Sequence, residues 1–176
     1  AWAAADKVLS MTVPAETVAE RPSFVRLTGL SAEKAAAGHV VITAEPYSTA
    51  VVVLEHSGSA AFVDNVEVVA GEGANLTVVS LQDWEDDATH LSHHHVRVGR
   101  DATVKHVVIT FGGDLVRTST SLDYAGPGGE ADLLGMYFVD SGQHIENRLF
   151  VDHNTPHAKS NVEYKGALQG AKAHAV

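Results

Sequence analysis

The chain contains no cysteine among its 176 residues, has only 6% aromatic residues and carries few cations. Without a thiol, these residues can form neither a disulfide framework nor a thiolate metal site. Lys and Arg number 12 against 22 Asp and Glu, a formal net charge of −10. This balance excludes a general nucleic-acid binder, because phosphate contacts require clustered cationic side chains.

Long hydrophobic runs are also missing. No apolar stretch approaches the length of a membrane span, and the N-terminus lacks a basic segment followed by an apolar one. The sequence therefore predicts a cytoplasmic protein that does not bind membranes.

Short apolar runs are what the chain has in abundance. From Gly38 onwards, runs rich in Val, Leu and Ile alternate with Gly, Asn, Asp or Pro, a pattern that predicts strands. Turns that end in Ala recur at spacings close to multiples of about 14 residues, which is typical of a solenoid of stacked β-coils. These turns lie at 59–60, 73–74, 101–102, 130–131 and 172–173. We therefore predict a β-helix core over residues 38–176.

The N-terminal segment, residues 1–37, is less regular and is predicted to be partly irregular. Ala1–Leu9 is predicted to be the end of a helix, and Phe24–Leu27 a strand. Ser31–Ala37 reads SAEKAAA, with a serine N-cap, good helix formers and Gly38 as a stop. One or two turns of helix are predicted there.

The stretch from Gly142 to Tyr164 reads GQHIENRLFVDHNTPHAKSNVEY, and LysGlyAla follows it. It resembles the SufB/SufD family of iron–sulfur cluster assembly proteins, on the SufD side. In that family a Gly-Gln-His-x-Asp/Glu-Asn-Arg run leads through a strand into a His-Asn turn and a Tyr/His-Lys element. The resemblance covers roughly 38–176. The residues that carry it are Gly142, Gln143, His144, Glu146, Asn147, Arg148, His153, Asn154, Ser160, Tyr164, Lys165, Leu168 and Gly170.

The resemblance implies an all-β fold, a right-handed parallel β-helix, here with a short irregular or helical N-terminal segment. It also implies a non-catalytic scaffold. In the family, a SufB-like and a SufD-like subunit associate, recruit a SufC-like ATPase and together assemble iron–sulfur clusters. The sulfur-handling cysteines belong mainly to the SufB-like partner. On this resemblance the chain alone is expected to bind no cofactor, the cluster being assembled by the complex.

The resemblance further implies that these residues are the central fragment of a longer protein. In the family, more β-coils and a C-terminal helical segment follow this region. They carry a SufB-facing histidine and the main ATPase-docking surface. The open end of the fragment is expected to favour self-association, because unpaired strand edges are templates for further pairing.

Strand alternation assigns faces within the family motif. Over residues 144–152 the odd-numbered side chains are predicted to point inward, so Asn147 is predicted to be a structural amide. The even-numbered side chains then face solvent or a partner. The remaining motif residues are predicted to be structural or to contact a partner. Three histidines of this region are predicted to bond backbone groups in turns or to contact a partner: His144, His153 and His157.

His93 and His95 are the weak candidates for a metal site. On one face of a strand they lie about 7 Å apart, a spacing that suits two imidazoles on one ion. This favours, as the alternative function, a metal-dependent cupin-like enzyme. However, the carboxylate that follows His-x-His in cupins is missing, and Arg97 shares the face. A solvent-facing polar strand without metal is therefore predicted.

The acidic run DWEDD, residues 83–87, is predicted to be a solvated loop. It lacks the glycine and the terminal glutamate of a calcium loop. Trp84 is expected to be exposed or packed at an edge.

Overall fold

Strands run through most of the chain that the computed structural model describes, residues 5 and 7–176. No α-helix occurs in these residues. None of them forms a helix with the length and hydropathy needed to cross a bilayer. The strands are β1 (Leu9–Val13), β2 (Ser23–Ala44), β3 (Thr49–Ala70), β4 (Asn75–Trp84), β5 (Thr89–Val98), β6 (Thr103–Gly112), β7 (Leu115–Tyr124), β8 (Glu130–Val139), β9 (His144–Asp152), β10 (Lys159–Leu168) and β11 (His174–Ala175).

The paired strands are all parallel and lie on two faces. β3 shows the arrangement, because residues 49–58 pair with β4 whereas residues 61–70 pair with β5. On the first face β4 pairs with β6, β6 with β8, and β8 with β10. On the second face β5 pairs with β7, β7 with β9, and β9 with β11. The chain is thus a flattened solenoid whose successive coils stack in register.

The spacing of about 14 residues in the sequence corresponds to half a coil. Thr49 pairs with Asn75, and Asn75 pairs in turn with Thr103. One strand and its turn therefore cover one face, and two such units complete a coil. The predicted all-β parallel solenoid is confirmed.

The helix predicted for Ser31–Ala37 is wrong. This segment lies inside β2, which pairs with β3 both before and after it. Ser31 pairs with Ala60 and Ala35 pairs with Ala61, so residues 32–34 bulge out of the ladder. Pairing with the next coil overrides the helix propensity of this alanine-rich run.

The other N-terminal predictions have mixed outcomes. The strand at Phe24–Leu27 is confirmed as part of β2. The helix end predicted for Ala1–Leu9 falls largely on residues outside those described, and Leu9 itself begins β1. The division of the chain at residues 37 and 38 stays a prediction, with β2 running through both.

The interior is apolar towards one edge of the solenoid. There, the inward side chains of successive strands stack into columns, so that each coil covers the apolar residues of the previous one. Val52, Leu54 and Val78 have no exposed surface. Further fully buried members of this cluster are Ile42, Val66, Val68, Leu76, Val96, Val98, Val104 and Leu133.

Candidate functional site

Towards the other edge, the inward positions of β3 to β6 become polar. Side chains alternate in a strand, so residues of one parity share a face. In β3, His56 follows Val52 and Leu54 at the same parity and is fully buried. We call the resulting group the buried polar cluster. Its members are His56, Asp64, Ser80, Gln82, His90, Ser92, His94 and His106, each at most 5% exposed.

Trp84 fixes the orientation of the Gln82 amide. The indole N–H is only a donor, and it donates to Gln82 Oε1 at 2.8 Å. Gln82 Nε2 then donates to Ser80 Oγ, also at 2.8 Å. His90 Nδ1 lies 2.8 Å from the same Gln82 oxygen. An acceptor at that distance must receive a proton, so His90 carries its hydrogen on Nδ1.

His56 has the same tautomer for a similar reason. Its Nδ1 lies 3.3 Å from the backbone carbonyl oxygen of Leu81, which can only accept. The proton therefore sits on Nδ1, and Nε2 is left with a lone pair. That lone pair has no hydrogen-bond partner within the described residues.

Asp64 lies between these two rings. Its Oδ1 is 3.2 Å from His90 Nε2, and its Oδ2 is 3.7 Å from His56 Nε2. Burial by itself would raise the pKa of the Asp64 carboxyl, but the adjacent rings of His56 and His90 outweigh burial and hold this pKa well below its usual value. Burial lowers the pKa of His90, although Asp64 opposes the shift. The site thus holds a buried carboxylate between two imidazole rings.

Among residues 5 and 7–176, these three form a group that could hold a metal ion. Their ligand atoms lie within 4.8 Å of one another. Two aromatic rings enclose the site: Phe62 stacks on His90 with ring centroids 5.4 Å apart, and Trp84 lies 5.1 Å from the same ring.

His94 and His106 form a second buried pair. His94 Nδ1 lies 2.7 Å from His106 Nε2, so one ring donates to the other. Burial lowers the pKa of His106 to about 4. Burial, followed by the neighbouring His106, lowers the pKa of His94 well below its usual value. Both rings are therefore neutral at pH 7, and their outer nitrogens lack hydrogen-bond partners in the part of the chain described.

The family-motif residues lie elsewhere, in β9, β10 and the turns beside them. The predicted alternation in β9 is confirmed: Ile145 is buried and Arg148 is exposed. Asn147 is half-buried at an inward position, in register with Thr118. Glu146 is outward but largely covered, because Arg117 lies 3.5 Å away and Arg148 also pairs with it.

Two further motif side chains lie at the start of β9 and in the turn before it. Gln143 Oε1 accepts from the backbone N–H of Asp140 at 2.8 Å, in the turn that contains Gly142. His144 Nδ1 lies 2.7 Å from His174 Nδ1, one coil further on.

The turn after β9 and strand β10 complete the motif. His153 Nε2 lies 2.9 Å from Ser160 Oγ. Asn154 Oδ1 accepts from the backbone N–H of Tyr124 at 3.3 Å. Lys165 pairs with Glu163 at 2.6 Å. The roles proposed for these residues stay predictions.

His93 and His95 lie on the outer surface of β5, as the alternation predicts. Both approach the hydroxyl of Ser121 in the next coil, at 3.3 Å and 3.0 Å. Arg97 shares this surface and lies 3.7 Å from Asp123. The central histidine of the triplet, His94, is the one that points inward.

Of the two alternatives predicted for Trp84, exposed or packed at an edge, the exposed one is wrong. Trp84 ends β4 and is 5% exposed. It shares its inward parity with Gln82, and its ring lies 5.5 Å from that of His56. The acidic residues that follow, 85–87, form the exposed turn.

The sequence analysis missed the buried polar cluster, although a signal for it was present. Each member stands at the parity of neighbouring Val or Leu residues in its strand. His56 continues the inward series of Val52 and Leu54, and His106 stands between Val104 and Val108. Polar residues at inward positions in several strands predict a polar interior.

Comparisons with known proteins show which family this chain resembles. Residues 26–176 match the family model described as SUF system FeS cluster assembly, SufBD core domain. The chain is 48% identical over 163 residues to an iron–sulfur cluster assembly SufBD family protein of Mycobacterium bovis. It is 47% identical over 163 residues to one of Mycobacterium tuberculosis, and 47% over 160 residues to one of Mycobacterium leprae.

These alignments cover nearly all of this chain but less than half of each relative. They include 93% of the chain for the M. bovis and M. tuberculosis proteins and 91% for the M. leprae protein. In each case they span 41% of the relative.

Proposed function

We propose that this chain, which belongs to the SufBD family of the SUF system for iron–sulfur cluster assembly, is part of a non-catalytic scaffold subunit. The subunit acts in the cytoplasm, pairs with a SufB-like protein and engages a SufC-like ATPase. It binds no cofactor of its own for this role, and the iron–sulfur cluster is the product of the complex. The observation that carries this proposal is the family match over residues 26–176, most of the solenoid.

Two features of the chain support a scaffold. The 176 residues contain no cysteine, so a persulfide or a thiolate ligand of the cluster must come from outside them. The solenoid offers long, regular outer surfaces, which this class of fold uses for binding partners. Phe150 is 67% exposed on the outer surface of β9, beside the motif residue Arg148.

The cupin-type alternative has no support in the architecture. Cupins are antiparallel jelly rolls, whereas every strand pair in the described residues is parallel.

Co-expression tests the proposal directly. An affinity-tagged polypeptide containing this chain is produced together with the SufB-like and SufC-like proteins of the same organism. Both partners are expected to co-elute, and the complex is expected to become brown when iron and sulfide are supplied anaerobically. Recovery of neither partner overturns the proposal.

Two exposed phenylalanines provide a matched pair for locating the interface. Truncating an aromatic anchor at an interface costs about 2 kcal/mol or more, roughly a 30-fold loss of affinity. Phe150→Ala is expected to weaken binding by this amount. Phe24→Ala, at a position 57% exposed in β2, is expected to leave binding unchanged. The reverse pattern would place the interface on the other face of the solenoid.

A further inference from the structure

We propose that His56, Asp64 and His90 form a binding site for one divalent transition-metal ion, such as Zn²⁺ or Fe²⁺, inside the solenoid. The first two residues lie on β3, on either side of the corner where the chain passes between faces, and the third lies on β5. The site lies apart from the outward motif residues of β9 and goes beyond the scaffold role. It rests on the geometry of these three side chains and their neighbours, and does not depend on the scaffold role.

The first argument is that acceptors outnumber donors at this point. Both imidazoles donate their Nδ1–H groups elsewhere, to the Leu81 carbonyl and to the Gln82 amide oxygen. His90 Nε2 lies within hydrogen-bond distance of Asp64 Oδ1, at 3.2 Å, whereas His56 directs an Nε2 lone pair towards Asp64 Oδ2 at 3.7 Å. Asp64 Oδ2 and His56 Nε2 have no hydrogen-bond partner in the described chain. Buried acceptors without a donor are costly, and a cation among them removes that cost.

The second argument is the spacing. Zinc–nitrogen bonds of about 2.0–2.1 Å and tetrahedral angles place two ligand atoms roughly 3.4 Å apart. The Asp64 carboxylate oxygens lie 3.2 Å from His90 Nε2 and 3.7 Å from His56 Nε2. All three ligand atoms fall within 4.8 Å of one another. The ion fits with small side-chain adjustments.

The third argument is that hydrogen bonds hold the two imidazole rings in place. Metal-bound histidines donate their second ring N–H to a carbonyl or carboxylate, which fixes the tautomer and the ring plane. Here a backbone carbonyl holds His56, and an amide held by Trp84 and Ser80 holds His90. In the nearby His94–His106 pair the two rings contact each other and their outer nitrogens have no hydrogen-bond partner among the described residues, so this pair lacks such an arrangement.

The donor set selects the class of metal. Two imidazoles and one carboxylate suit Zn²⁺, Fe²⁺ and their neighbours, whereas Mg²⁺ and Ca²⁺ prefer oxygen ligands alone. Three protein ligands leave a fourth position for water or another small ligand. A cavity of about 190 Å³ near Gly29 and Ala60 shares Phe62 and Trp84 with the site. Phe62 also stacks on His90, so one aromatic side chain lies between this cavity and the site.

Metal titration of the chelator-treated protein tests the site. Zn²⁺, or Fe²⁺ under anaerobic conditions, is expected to bind at one ion per chain by calorimetry and elemental analysis. Gln82→Leu, which removes the support of His90, is expected to weaken binding by about 10- to 100-fold. Asp64→Asn and His90→Gln remove ligands and are expected to weaken it further than Gln82→Leu does.

The double variant His93→Ala/His95→Ala is the matched control, because it removes two histidines from the outer surface of the same strand. It is expected to bind the ion with wild-type affinity. Loss of binding in this control, with retention in Asp64→Asn, would place the ion on the surface and overturn the proposal.

The proposal also has a test that needs no variant. X-ray absorption of the zinc-loaded wild-type protein is expected to show only nitrogen and oxygen ligands, with the scattering pattern of two imidazoles. A spectrum without imidazole ligands, or a wild-type protein that takes up no ion, overturns the proposal. Circular dichroism establishes that each variant is folded before its affinity is compared.

Discussion

Lowering the pH from 7 to 4 is expected to reduce the free energy of unfolding by about 3 kcal/mol through His106 alone. The pKa of this ring is about 4 in the folded chain and has the ordinary value of 6.5 when the chain is unfolded. Below pH 6.5 the unfolded state therefore binds a proton that the folded state does not. Stability falls as the pH drops through this window, and the loss levels off below pH 4.

Two other buried histidines add to this loss of stability, whereas the buried carboxyl of Asp64 titrates at lower pH. Burial also lowers the pKa of His94 and His90, so both destabilise the fold in the same direction on acidification. The pKa of Asp64 is lowered instead, and a carboxyl of this kind loses its contribution only below its ordinary pKa of 3.8. Glu163 also has a lowered pKa, from an ordinary value of 4.5, so the loss that occurs above about pH 5 is the part that reflects the histidines.

Urea unfolding followed by circular dichroism at several pH values measures this loss. The double variant His94→Leu/His106→Leu is the control. Replacing both members of a buried hydrogen-bonded pair by apolar groups is nearly neutral at pH 7, whereas replacing one leaves its partner unsatisfied at a cost of about 1–3 kcal/mol. The double variant is expected to lose most of the acid sensitivity. If it unfolds with the same pH dependence as the wild type, the pair is not the cause.

The fold was largely predictable because its signals are local. A run such as Val51–Glu55 carries its strand propensity in its own residues, and the recurring turns mark the half-coils. The Ser31–Ala37 segment was not predictable in this way. Its helix propensity is real, and only pairing with β3, which depends on the stacking of coils, makes it a strand.

The sequence predicts the inward direction of the histidines in the buried polar cluster but not the contacts among them. Parity within a strand indicates that His56 and His90 point inward, because each shares a face with buried neighbours. Parity does not indicate that Asp64 meets both rings. That contact requires the corner of β3 and the register of β5 over β3, which the sequence does not encode locally. The metal candidates of the sequence, His93 and His95, lie in the densest histidine run but point outward, away from this cluster.

The second large effect is expected from Gly58→Ala, at the corner where β3 passes from one face to the other. Gly58 has φ of +82°, and an added methyl group would collide with the backbone carbonyl oxygen of Gly29 in the preceding coil. The left-handed conformation costs a residue with a side chain about 1–2 kcal/mol. The collision with backbone adds to this, because it separates two stacked coils beside Trp84. A total of about 3 kcal/mol or more is expected.

Gly142→Ala separates the two contributions to this cost. Gly142 has nearly the same φ, +84°, but lies in the turn before β9, where an added methyl group meets no atom within 4 Å. Only the conformational cost of about 1–2 kcal/mol is expected there. Urea midpoints of the two variants measure the difference. Equal losses would show that backbone conformation alone determines the cost, and that contact between stacked coils does not restrict the corner to glycine.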